Sequence, residues 1–510
     1  MAAASGTAAG FGRFVLLIGT ALLMAAAMSV YVWAGPMLLL GGCILALSAF
    51  SRLNITNLAI TYVLGDHVFQ FTKRCIFVFG TPSRTSYYSF QLLPALMLAL
   101  GVAGSIFVLK RYRLTLSTKY LIGFLLVSIG NTLIFSRGAS ATAKLGGVAQ
   151  HTFPIMAIFL GMAIPLSAWK RLGALLLFLI IVSSTYGVYQ YIHGPTFLDR
   201  AWASQAAGYS IEASKVYDYL YGAGGEFRAY SYLGDHLTWG FFLVVAFVGV
   251  IFARYLRLIP KRWVYIAIPF TVAGILVAQT RTVWVSFLAT LVIYRLMTMR
   301  FFRRPLLVIT ALFIAFAGVV YGGQWASTHL ISRISSNALL TRYLTVGTIE
   351  ARTSAIELFV RLLPSHWIFG QGLGASADYS GLSSGGTNID FEAQFSHNMF
   401  VDFLLYMGLP GVILIILFFY AWLKEAFWLA SISDRPRAAG YRWLIALFVG
   451  MWLTGALNGS TFMGGFFFLT VGVVTGEVMR LQREYAEYVF ALRARPVFVR
   501  RALGVAVAET

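Results

Sequence analysis

Residues 236–254 read HLTWGFFLVVAFVGVIFAR. No ionisable side chain interrupts the run between His236 and Arg254. About 20 such residues, wound as a helix, cross the roughly 30 Å hydrocarbon layer of a bilayer. One such stretch is a span candidate; its recurrence decides the fold. Further apolar segments lie near 14–33, 35–51, 87–109, 118–136, 153–169, 172–192, 262–279, 282–299, 305–322, 398–422, 441–458 and 462–479. The stretch 53–72 is weaker, because Asp66 and His67 interrupt it. The segment 14–33, behind MAAASGTAAGFGR, has the outline of a signal peptide, but so many runs follow that it reads as an uncleaved first span.

Composition agrees. The chain has 510 residues, 59% hydrophobic and 11% charged, with a mean hydropathy of +0.78. Soluble domains carry about 25% charged residues, so a water-soluble enzyme, a disordered chain and a disulfide scaffold are excluded. The two cysteines, Cys43 in an apolar run and Cys75 in what reads as a polar loop, look like free thiols.

Charge sets the expected topology. Basic clusters at Lys110/Arg111/Arg113/Lys119, Lys170/Arg171, Arg254/Arg257/Lys261/Arg262, Arg295/Arg300/Arg303/Arg304, Lys424/Arg435/Arg437/Arg442 and Arg480/Arg483 fall in every second loop. That is the positive-inside pattern, and it makes these loops cytoplasmic. Counting 53–72 as a span closes the alternation at about 14 spans with both termini inside. On that topology 26 basic and six acidic residues lie inside, 13 and 11 lie outside, and Asp402 falls within a span. The net charge of +21 is thus a topology signal, with no nucleic-acid partner implied. The chain divides into N-terminal spans 1–192, an outer loop 193–235, central spans 236–322, a large outer loop 323–397, C-terminal spans 398–479 and a basic tail 480–510 whose arginines suit anionic membrane lipids. The large loop holds an amphipathic stretch at 344–363 and a turn-rich stretch at 370–388. There is no internal repeat.

No phosphate-binding loop and no metal-ligand spacing occur. Gly370-Gln371-Gly372-Leu373-Gly374 follows no strand of a βαβ unit, so it reads as a tight backbone turn. His151 and His193 read as ordinary interfacial residues. What stands out is a set of basic residues at the outer edge. Arg281 sits between two spans with almost no loop, Arg228 just before a span, Arg352 in the amphipathic stretch, and His397–Asn398 where the long loop re-enters the membrane. Each has a plain alternative: a topology residue for Arg281, surface ion pairs with Glu226 or Asp235 for Arg228 and with Glu350 or Glu357 for Arg352, a helix cap for His397–Asn398. Together they suit a phosphate. Guanidinium forms bidentate bonds to phosphate oxygens and stays charged, and an adjacent imidazole can accept a proton near neutral pH. These parts fit glycosyl transfer from a lipid-linked diphosphate sugar, with arginines rather than a metal or cofactor stabilising the leaving group.

At the same residues the sequence resembles the O-antigen ligase / O-antigen polymerase family of bacterial membrane glycosyltransferases. The likeness rests on Thr280-Arg281-Thr282-Val283-Trp284, on Arg352 through Leu363-Pro364 to the 370–374 glycines, on His397-Asn398-Met399-Phe400-Val401 followed by Gly408-Leu409-Pro410-Gly411, and more weakly on Arg228 to Asp235. It covers about 225–425. It implies an all-α polytopic inner-membrane enzyme whose site faces the periplasm and whose donor is an undecaprenyl-diphosphate-linked oligosaccharide. The acceptor is a lipid-linked glycan in polymerases and lipid A core in ligases; partners include a chain-length regulator or other polysaccharide-assembly proteins. Carried over, Arg281 and Arg352 hold the diphosphate, His397 acts as base, and Arg228, Asn398, Gly370, Gly372 and Gly374 contact substrate. Relatives often carry an acid where this chain has Tyr406, which leaves His397 without that acidic partner. A polymerase is the favoured expectation, with ligation to lipid A core or protein, or flipping of a lipid-linked glycan, as the rivals.

Overall fold

The computed structural model describes residues 55–79, 93–136, 144, 147–148, 151–206, 216–217, 228–299, 367–373, 399–458 and 464–494. Over these residues the chain forms helices and no strands. In chain order they are α1 (Ile55–Phe79), α2 (Leu93–Leu109), α3 (Leu116–Phe135), α4 (Phe153–Ala163), α5 (Trp169–His193), α6 (Phe197–Ala206), α7 (His236–Tyr255), α8 (Lys261–Ala278), α9 (Arg281–Thr298), α10 (Met399–Ile432), α11 (Arg435–Asn458) and α12 (Gly465–Ala494). Among the described residues five helical runs are long and apolar enough to cross a membrane: Leu116–Phe135, Leu166–His193, His236–Tyr255, Lys261–Ala278 and Met399–Ile432. Over the described residues the protein is all-helical, with the several long apolar helices of a multi-pass membrane protein.

The basic loops gather at one end of the bundle. Ser117 donates to Glu425 (2.6 Å), the Tyr255 and Tyr294 hydroxyls meet at 3.3 Å, Trp443 stacks on Tyr294, and Arg480 donates to the Ile164 carbonyl (3.1 Å). These contacts join the helix ends that carry Lys119, Lys170, Arg254, Arg295, Lys424 and Arg435, here termed the basic end.

Helix α7 lies at the centre, between α5, α8, α9, α11 and α12. Its residues from Leu243 to Ala253 are all buried, as expected of a helix that is apolar on every side. By contrast α3, α8 and α9 leave Leu126, Leu133, Leu276, Leu288 and Val292 more than half exposed. An exposed apolar belt of this kind faces hydrocarbon. Helices α4 and α12 touch backbone to backbone, because Gly161, Gly472 and Gly476 have no side chain to hold them apart. This close small-residue packing is how membrane helices associate without a hydrophobic drive between them.

Two expectations are corrected and one is extended. Residues 55–72 of the weak stretch are helical, within a 25-residue helix that runs on to Phe79, and His67 faces the interior, with its ring against Phe242 (4.3 Å) and Tyr232 (5.7 Å). Cys75 is buried within that helix rather than placed in a polar loop. The third concerns the run 398–422, which is not one span. Helix α10 breaks at Gly408, whose φ of 67° is left-handed. The Phe400 and Phe419 rings are 6.3 Å apart, whereas a straight helix would separate those residues by roughly 28 Å. The chain therefore folds back at the break. A short arm, Met399–Met407, returns into the bundle, and the long arm from Leu409 to Ile432 has the length of a span.

Candidate functional site

The end opposite the basic one carries two constructed features. The first surrounds Arg228. The segment 229–231 is buried, with Ser231 in the left-handed region at φ 53°. Such a buried loop must have its backbone groups satisfied. Arg74, from the last turns of α1, donates through Nη1 to the Ser231 carbonyl (2.9 Å) and to the Asp199 carboxylate of α6 (2.5 Å). Gln190 of α5 donates to the same carbonyl (3.1 Å) and to the other Asp199 oxygen (2.9 Å). That oxygen also accepts from the Thr196 amide and hydroxyl. Trp202 and Tyr230 place their rings 5.0 Å from the Arg74 guanidinium on cation–π geometry. Burial, with the Asp199 carboxylate adding to it, holds the Tyr230 phenol well above its usual pKa. Arg74 and Asp199 are essentially inaccessible to water.

This lock positions Arg228. Its side chain is exposed, and among the described residues it makes no ion pair with Asp235. Asp235 instead caps α7, accepting from the Thr238 amide (3.1 Å). Ala229, the next residue, donates to the Val277 carbonyl (3.3 Å) in the last turn of α8. The chain then turns through only Gln279, in the left-handed region at φ 49°, and Thr280 before Arg281 opens α9. Arg228 and Arg281 thus stand at one corner of the bundle; the Arg281 side chain lies outside what the structure describes.

The second feature is the break in α10. A broken helix inside a membrane exposes carbonyls of one half and amides of the other, each costly if left unpaired. Residues 367–373 supply the partners. The Gln371 and Gly372 amides donate to the Leu405 and Tyr406 carbonyls (2.8 and 2.9 Å), and the Leu409 amide donates to the Trp367 carbonyl (2.9 Å). Asn131 of α3 completes the set, donating to the Met407 and Phe369 carbonyls (2.7 and 2.5 Å). Gly370 and Gly372 have φ of 71° and 78°, and a Cβ on either would strike backbone or the Ser136 hydroxyl. The expected tight turn is therefore present, and it serves as a cap for a helix elsewhere in the chain. His151 lies beside it, its ring 5.9 Å from Tyr406, with a buried Nε2 that has no hydrogen-bond partner among the described residues. Burial pushes its pKa down to about 4.

The two features share α11. Phe419 of the long arm, against which Phe400 rests, packs on Trp452. Immediately before Trp452, Met451 and Gly450 meet Ser286 and Thr290 of α9. The first turns behind Arg281 thus lean directly on this stretch of α11, and the start of the short arm reaches it through Phe419. Arg352, Gly374, His397 and Asn398 lie outside the described residues. Sequence reasoning missed Arg74, Asp199, Gln190 and Asn131. The signal available was a Lys73-Arg74 pair at the end of a weak span and Asp199, the first of five acids in the 193–235 loop. Among the described residues no three His, Cys, Asp or Glu side chains gather. No protein-family model matches the chain, and no curated protein matches it.

Proposed function

We propose that the protein is a membrane glycosyltransferase of the O-antigen ligase / polymerase type, moving a glycan from undecaprenyl diphosphate to an acceptor hydroxyl. The positive-inside rule assigns the basic end to the cytoplasm. The corner carrying Arg228 and Arg281 then faces the periplasm, in a chain of about 14 spans. One observation carries the reading: the helix opened by Arg281 packs on Gly450–Met451 of α11, and the short arm that follows His397–Asn398 reaches the adjoining Trp452 through Phe419 of the long arm. The N-terminus of the short arm is the positive end of its helix dipole, which favours an anion there.

In this reading the acceptor hydroxyl attacks the anomeric carbon in line with the departing diphosphate. His397 takes the hydroxyl proton, a step worth about 10²–10⁴-fold. Arg281 and Arg352 hold the charge that develops on the leaving group, each worth about 3–4 kcal/mol in the transition state. Arg228 contributes from the locked 228–231 segment, and the 370–374 turn fixes the short arm. Arg281→Ala and His397→Ala are expected to abolish transfer by purified protein from a lipid-linked oligosaccharide, while both variants insert and accumulate. Near-normal turnover by either refutes the assignment. Offering lipid A core and lipid-linked repeat units in separate reactions distinguishes ligase from polymerase by product size.

The broken helix favours one rival, a flippase or other transporter, since such proteins build substrate sites from interrupted helices. Here, though, the Leu405, Tyr406 and Met407 carbonyls and the Leu409 amide already have protein partners, so the break offers no open coordination site. Movement of lipid-linked glycan without any covalent product would establish that rival.

A further inference from the structure

At the end opposite the basic one, the turn between α5 and α6 forms a half-open cavity of about 280 Å³, lined by Tyr189, His193, Gly194, Thr196, Phe197 and Arg200. This lies near the lower limit for small-molecule sites, enough for a headgroup but not for an oligosaccharide. Arg200 is its cation. Its Nε donates to the Pro195 carbonyl (3.2 Å), which holds the stem, and among the described residues it has no carboxylate partner. The adjacent Asp199 is wholly engaged by Arg74, Gln190 and Thr196. The remaining guanidinium donors are left to the cavity.

The approach to the cavity is apolar. Val182, Tyr189 and Ile192 lie along one exposed face of α5, at 39%, 51% and 66% exposure, and Phe197 beyond them is 69% exposed. The stretch from Val182 to Ile192 runs about 15 Å at 1.5 Å per residue, the depth of one leaflet's hydrocarbon. Tyrosine rings and a cation at the top of a lipid-facing stripe mark the headgroup layer. We propose that this cavity binds the phosphodiester of an anionic phospholipid of the surrounding bilayer, with an acyl chain lying along the Val182–Ile192 stripe. One guanidinium balances the single charge of a phosphodiester, whereas an isoprenoid diphosphate carries more charge than the cavity answers. The proposal stands on the cavity and survives failure of the transferase reading.

The test counts bound lipid on the full-length protein in detergent by native mass spectrometry, titrating phosphatidylglycerol, phosphatidylcholine and undecaprenyl phosphate. Wild type is expected to hold one phosphatidylglycerol about tenfold more tightly than Arg200→Ala does, the size of one charge-assisted hydrogen bond. Arg200→Lys should fall between them, because it keeps the charge and loses the fork, and phosphatidylcholine should not distinguish the three. Arg200 is exposed, so the variants fold; a matching unfolding midpoint checks this. Equal phosphatidylglycerol affinity in wild type and Arg200→Ala overturns the proposal. So does undecaprenyl phosphate displacing phosphatidylglycerol at equal concentration in wild type but not in Arg200→Ala, which would make the occupant isoprenoid.

Discussion

Replacing Arg74 with methionine leaves the Asp199 carboxylate buried without its counter-ion. Asp199 is 0% exposed, and its donors Gln190, Thr196 and Tyr186 are neutral. Breaking a buried pair from one side costs about 3–5 kcal/mol, mostly the penalty for the stranded charge. At roughly 2 °C per kcal/mol, the scale for large domains, the apparent unfolding midpoint in detergent should fall by about 8 °C. Asp199→Leu alone should fall comparably, because it strands the guanidinium between Trp202 and Tyr230. The double variant Arg74→Met/Asp199→Leu should recover most of the loss, since removing both charges leaves no unpaired ion. The assay is a thiol-reactive dye melt on the four proteins, with Cys75 as an internal reporter because it is buried one residue from Arg74. The reasoning is refuted if Arg74→Met melts within about 2 °C of wild type, or if the double variant is no better than either single one. A second readout follows from the proposed transferase function: freed of its lock, the 228–231 segment no longer fixes Arg228, so any glycan transfer should drop in the single variants even below their melting points.

Gly408→Ala should destabilise by about 1–3 kcal/mol from its left-handed backbone alone, and more because the new Cβ meets the Ile368 carbonyl; a melt matching wild type contradicts the break. Gly161→Val should separate α4 from α12, since its Cβ would meet the Leu469 carbonyl, and lower the yield of folded protein on size-exclusion chromatography. His151 supplies a pH dependence. Its pKa falls from 6.5 to about 4 on burial, so between those values the unfolded chain takes up a proton that the folded chain refuses. Its contribution is complete above about 6.5 and is lost as pH falls toward 4, and His151→Phe should flatten that part of the stability–pH curve.

Hydropathy alone delineates α7, the α8–α9 corner and the long apolar helices, because lipid-facing and core-facing apolar residues look alike in a sliding window. It fails where polar side chains are buried against protein. Asp66 and His67 make α1 look weak, yet His67 packs between aromatic rings. The Arg74–Asp199 pair spans 125 positions, a relation with no periodic signature. The glycines at 370 and 372 announce a turn, but Gly408-Leu409-Pro410-Gly411 lies inside a run that hydropathy reads as one span, so the interruption there stays hidden. That the first caps the second depends on tertiary contact alone. Arg228 and Arg281 were legible as candidates because an arginine beside a span demands an anion or a wet cavity. Their shared corner becomes visible only through the Ala229–Val277 bond.

The cap on the α10 break also bears on how the chain is made. Asn131 leaves the ribosome 276 positions before the Met407 carbonyl it serves. Until residues 367–409 have been synthesised, the Asn131 amide lacks the Phe369 and Met407 carbonyls that it serves in the finished fold. A translocon or insertase must therefore shelter this helix, or let it slip, until the late segment arrives. Final docking of α3 thus belongs to the last stage of biogenesis, and truncation before residue 409 should leave a product open to membrane quality control.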